Sequence, residues 1–145
     1  MALHIVKLCV GADSVEDLQA WIDFRMDQLA AAGLPREQTH TTRMVPTRRE
    51  EILGGGSLYW VIKGYIQVRQ HLVDIRPFKD ADGVNRCDLV LEPRLILTQM
   101  QPRRPFQGWR YLKAEEAPAD MRGSSGGEPE LPEEMRRELA ELGLL

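Results

Sequence analysis

Residues 58–72 read LYWVIKGYIQVRQHL, and the alternation in this run decides the fold. Strand side chains point to opposite faces in turn, so the run divides by parity. Leu58, Trp60, Ile62, Gly64, Ile66, Val68, Gln70 and Leu72 form an almost wholly apolar set. Tyr59, Val61, Lys63, Tyr65, Gln67, Arg69 and His71 form an aromatic, basic and amide-bearing set. The pattern predicts one buried and one displayed sheet face. Strands usually run ~5–6 residues, and Gly64 lies near the middle of the run. Two strand segments joined by a bend or bulge at Gly64 are therefore expected.

The flanking sequence supplies the rest of a sheet and its cover. Residues 4–10 read as a buried strand ended by Gly11. Ser14 is placed to cap a helix over about 15–32, with Leu18, Trp21, Ile22, Arg25 and Leu29 on one face. Residues 39–45 alternate as a strand. Thr47 and Glu50 have capping-box spacing for a short helix over 48–53, and Gly54, Gly55 and Gly56 read as a mobile turn. No GK[ST] follows these glycines, so they are not a P-loop. Further strand patterns cover 73–78, 87–91, 95–100 and 106–112. The Asp82-Gly83 tip makes a hairpin of KDADG, and Pro102 to Pro105 form a stiff basic bend. Residues 117–130 are rich in Ala, Gly, Ser and Pro and read as a flexible linker. Residues 131–145 read as a short C-terminal helix opened by Pro132. The expected architecture is one α+β domain over 1–116: a bent, mostly antiparallel sheet or partly open β-barrel, with one long N-terminal helix and short accessory helices.

Composition excludes some classes. No apolar run approaches the ~20 residues that span a bilayer, so no membrane partner is expected. Cys9 and Cys87 lie far apart with no CxxC spacing, which suits a reduced cytoplasmic protein. His4, His40 and His71 are scattered, and no pair has ligand spacing on one element, so no metal or cofactor is expected. Both cysteines fall in apolar strand patterns. Asp74, an acid within the β region, reads as an edge partner for Arg76 or Arg69.

Charge gives the functional lead. Residues 36–110 carry 13 basic against 8 acidic side chains, between two acidic ends. Two stretches there mix aromatic rings with cations. One contributes Lys63, Tyr65, Gln67 and Arg69; the other contributes Arg103, Arg104, Phe106, Trp109 and Arg110. Rings that stack on bases and cations that neutralise phosphates hold single-stranded nucleic acid on sheets. The first reading is an RNA-binding module. The alternatives are an enzyme acting on a nucleotide or other small phosphorylated substrate through the same basic residues, and a structural or interaction domain. The chain is expected to be a monomer, or a homodimer joined through a sheet edge or the C-terminal helix.

The runs GGSLYWVIKGYIQVRQ, KDADG and PRRPFQGWRYLKAEEAPAD, with MALHIVKLCVGADSVEDL at the N-terminus, resemble an uncharacterised bacterial family found mainly in alphaproteobacteria. The resemblance covers residues 1–121 and implies no activity or site residues. The stretch IKGYIQVR is also similar to the ASCH pattern within PUA-like folds, which include the EVE group. That pattern has a glycine, a lysine and then Glu-x-Arg. Tyr65 and Gln67 stand here where the lysine and glutamate are expected. This second resemblance implies a small β-barrel that binds RNA or modified bases.

Overall fold

The computed structural model of the chain describes residues 3–121. The strands are β1 (Leu3–Leu8), β2 (Gln38–Thr42), β3 (Ser57–Ile62), β4 (Tyr65–Lys79), β5 (Asn85–Leu91), β6 (Ile96–Pro102) and β7 (Trp109–Lys113). The helices are α1 (Val15–Ala31) and α2 (Arg49–Leu53). All seven strands form one open sheet in the order β2-β5-β4-β3-β1-β7, with β6 also on β4. β1 and β3 run parallel; the other pairs are antiparallel. This is an α+β fold on a mixed sheet.

β4 organises the sheet. Its first half lies between β3 and β6, and its second half pairs with β5. Beyond His71 no described strand continues on the flank that β3 had occupied, where Arg49 Nε donates to Ile75 O instead. Pro77, which has no N–H to donate, is therefore accommodated in mid-strand.

The 58–72 run holds two strand segments, β3 and the start of β4, but the chain reverses between them in a hairpin turn instead of bending at Gly64. Ile62 pairs with Tyr65 and leaves a two-residue loop. Lys63 and Gly64 take φ of 50° and 84°, the double positive φ of a type I′ turn, whose twist matches that of the flanking strands. The bulge lies further on. Trp60 pairs with Val68 but Val61 with Ile66, so Gln67 is the extra residue. A bulge shifts parity by one. Ile66 therefore joins Tyr59 and Val61 on one face, while Val68 and Leu72 join Trp60 and Ile62 on the other. A second shift at Val73 brings Ile75 onto the face of Leu72.

Both faces are covered, so the displayed face expected from alternation does not exist along β3. Every residue of β3 is buried. The larger core joins Ile5, Leu58, Trp60, Val68, Leu72, Ile75, Leu89 and Leu91 to Leu18, Ile22 and Met26 of α1. The smaller one gathers Val6, Tyr59, Val61, Ile66 and Leu112 beneath Phe106 and Ala117.

Local signals explain most boundaries. The Ser14 hydroxyl accepts the Asp17 N–H at 3.0 Å, and Glu16 and Asp17 face the positive end of the helix. Trp21 does not share the buried stripe; it is 52% exposed, and Met26 takes the inward place. The Thr47 capping box does not form. α2 starts from Arg48, and Thr47 instead meets the Tyr111 hydroxyl. The glycine run is not a mobile turn at its end. Gly56 is buried, its N–H donates to Ile52 O, and its carbonyl accepts from Leu72 N–H. The linker does not begin at residue 117. Ala119 O accepts from Gln99 N–H and Met121 N–H donates to Leu97 O, so this segment runs along β6. The remainder of the expected linker, and the C-terminal helix, lie outside the described residues.

Candidate functional site

Several residues expected to meet a ligand instead build the fold. Arg69 donates from Nε and one terminal nitrogen to both Asp120 carboxylate oxygens, at 2.7 and 2.8 Å, and from the other to Ser57 Oγ at 2.7 Å. This hydrogen bonding, with the guanidinium charge, holds the Asp120 carboxyl below its usual range. Ser57 N–H donates to His4 Nδ1 at 2.9 Å. Burial and the Arg69 charge lower the pKa of His4, which keeps that nitrogen an acceptor. Gln67, the bulge residue, is buried and donates to Ile62 O at 2.8 Å. Trp109 is buried and donates to Met44 O at 2.8 Å. Asp74 accepts from Arg49 and Arg76.

Lys63, Tyr65, Arg103, Arg104 and Arg110 remain on the surface, and the fold brings them together. The Arg103 N–H donates to Gly64 O at 2.8 Å, and Tyr65 pairs with Pro102, so the basic bend sits against the β3–β4 turn. Tyr65, Pro102, Arg103, Arg104 and Pro105 line one shallow groove. The Arg103 and Arg110 guanidinium groups lie over the half-buried Phe106 ring, 5.8 and 5.3 Å from its centroid. Arg48, Arg49, Arg69, Arg76 and Arg86 all have carboxylate partners. Lys63, Arg103, Arg104 and Arg110 make no ion pair among the described residues. Arg103 and Arg110 meet the Phe106 ring and Arg110 also donates to the Gln107 and Trp109 carbonyl oxygens, but none of the four meets a carboxylate among the described residues.

A second concavity was not legible in the sequence. It is lined by Cys9, Leu18, Trp21, Gln38, His40 and Trp60, and has a volume of about 140 Å³. It lies among α1, β2, β3 and the loop after β1. The His40 ring meets Trp60 edge-on, 5.3 Å between centroids. Burial lowers the His40 pKa to about 4 and pushes the Cys9 thiol up to about 11, so both side chains are neutral near pH 7. The one available signal was Gln70, a lone amide in the apolar parity set, which holds Trp60 and Gln38 in place.

The fold and this surface define an α+β domain on an open mixed sheet, with a basic, aromatic-bearing end. The chain belongs to DUF1489, a family of proteins of unknown function, whose family model matches residues 5–145. No curated protein and no solved structure matches it. Among the described residues, no helix is long and apolar enough to cross a membrane.

Proposed function

We propose that the domain binds single-stranded nucleic acid, RNA in the first instance, at the end of the sheet formed by Lys63, Tyr65, Arg103, Arg104, Phe106 and Arg110. The observation that carries this reading is the gathering of cations and aromatic rings at one place. The fold brings the 102–105 bend against the β3–β4 turn and sets the Arg103 and Arg110 guanidinium groups over the Phe106 ring, and none of these cations makes an ion pair among the described residues. Unpaired guanidinium groups suit phosphates. Tyr65 and the guanidinium planes over Phe106 offer stacking surfaces for unpaired bases. The PUA-like likeness of IKGYIQVR points the same way, although the Gly64 and Tyr65 it relies on belong here to a hairpin turn and its exit. The free thiols of Cys9 and Cys87 suit action in a reducing compartment such as the cytoplasm. The test is a fluorescence-anisotropy titration of full-length protein with labelled single-stranded RNA at several salt concentrations. Binding that weakens steeply with salt, and weakens further in Arg103→Ala and Arg104→Ala, supports the reading. No binding of RNA or DNA strands at low salt, where charge attraction is strongest, overturns it.

A further inference from the structure

The cavity beside Trp60 has a feature that the basic end lacks: it is lined by a nearly buried amide whose orientation is determined. Trp60 Nε1 can only donate, and it donates to Gln70 Oε1 at 2.8 Å. The Gln70 nitrogen must then point the other way, and it donates to Glu92 O at 2.8 Å and to Gln38 Oε1 at 2.7 Å. Gln38 is thereby oriented too, with its NH2 turned away from Gln70. Gln38 is only 3% exposed, and this nitrogen has no partner among the described residues. No fully buried side-chain nitrogen or oxygen among them lacks a partner, so the Gln38 nitrogen keeps access to solvent. Gln38 is one of the residues that line the concavity. Trp60, Trp21, a neutral imidazole and a neutral thiol also line the cavity. Among the described residues no carboxylate lines it. The charge that acts on both His40 and Cys9 is the half-buried Lys7 ammonium.

These groups select a ligand by chemistry. A buried donor without a partner favours an acceptor. Aromatic walls favour a flat ring. The lack of any lining carboxylate, with an ammonium nearby, disfavours a cation. The volume lies below the ~300–1,000 Å³ typical of drug-sized pockets, which leaves room for about one ring. We propose that this cavity binds a small, uncharged planar ring bearing a carbonyl-type hydrogen-bond acceptor, held against Trp60 and Trp21 with the acceptor on the Gln38 amide.

The experiment is an NMR titration of the full chain with 2-pyridone, benzamide, ethylbenzene and benzamidine. It follows the Gln38 side-chain NH2 and the Trp21 and Trp60 indole signals. The two acceptor rings should move all three signals and bind about tenfold more tightly than ethylbenzene, the weight of one hydrogen bond. Gln38→Glu keeps an oxygen for Gln70 but replaces the donors with a carboxylate. It should weaken 2-pyridone by about tenfold or more and strengthen benzamidine. Trp21→Ala alters an exposed helix position, should leave the fold intact, and should weaken 2-pyridone several-fold. Equal binding of ethylbenzene and 2-pyridone overturns the proposal. So does an unchanged affinity in Gln38→Glu, or no shift in these signals with either acceptor ring at about 10 mM. Arg103→Ala should leave 2-pyridone binding unchanged, so this site and the basic end stand or fall separately.

Discussion

Arg69 and Asp120 form a two-point ion pair that fastens the segment after β7 to the middle of β4. Both side chains are mostly buried, at 22% and 32% exposure. Removing Asp120 would leave a guanidinium with part of its hydrogen bonding gone in a poorly solvated place. Asp120→Ala is expected to lower stability by about 1–3 kcal/mol, measured by urea denaturation. A chain ending at residue 116 should lose at least as much, because the pairing of Ala119 and Met121 with β6 goes too. Arg69→Ala should likewise report on stability rather than on ligand binding.

Gly56 is required by close approach of backbone. A Cβ at this position would overlap the carbonyl oxygens of both Leu3 and Ile52. Neither is the end of a flexible side chain, so relief needs movement of β1 or α2. Gly56→Ala should cost about 1–3 kcal/mol or more, as overpacking does elsewhere. Gly54→Ala, whose Cβ would make ordinary contacts, should be nearly neutral. Thermal midpoints of the two variants measured side by side would check this.

Trp60 is 3% exposed and is hydrogen-bonded through its indole nitrogen to Gln70. Trp60→Ala should destabilise by about 3–5 kcal/mol, the range for buried aromatic truncations. A variant that melts like the parent would show that this side of the sheet is not the main core.

Stability should depend on pH through His40. Its folded pKa of about 4 lies below the usual 6.5, because burial and then Lys7 disfavour the imidazolium. The unfolded chain therefore takes up the proton more readily. The contribution is complete above about pH 6.5, falls as pH drops, and is fully lost below about pH 4. The loss from this group is no more than about 3 kcal/mol. Asp80 and Asp120, both held below 3.8, add their losses at more acid pH. His4, also held below 6.5, keeps part of the slope, so His40→Gln should reduce the fall between pH 6.5 and 4 without abolishing it in a series of thermal melts.

Salt dependence should separate the roles at the basic end. Each phosphate neutralised on a single strand adds about −0.7 to the log–log salt slope. Lys63→Ala or Arg104→Ala should reduce the slope by about one such step without altering the fold. Tyr65→Ala should cost about 1–3 kcal/mol of binding with little change in slope if a base stacks there. Equal changes of slope in all three variants would remove the stacking role.

Local chemistry by itself determined a good deal of this protein. Ser14 as a cap, Asp82-Gly83 as a hairpin tip, Pro93 as a strand end and the β character of 58–72 depend on neighbours a few residues away, and the structure has them all. The aromatic and basic composition of the 63–69 and 103–110 stretches was equally plain. Only the tertiary structure decided which of those residues meet solvent. A one-residue bulge at Gln67 reverses the side chains that follow on β4 as far as the second shift at Val73, and no local preference announces where it falls. The long-range segment 117–121 then covers Arg69, while the β3–β4 turn meets the 102–105 bend. The cavity beside Trp60 belongs to tertiary structure alone. Its walls come from α1, β2, β3 and the loop after β1, and the Gln38 amide that lines it is oriented by hydrogen bonds that reach across 32 and then 10 residues of chain. Contacts of that separation depend on the strand order, which alternation within each strand does not encode.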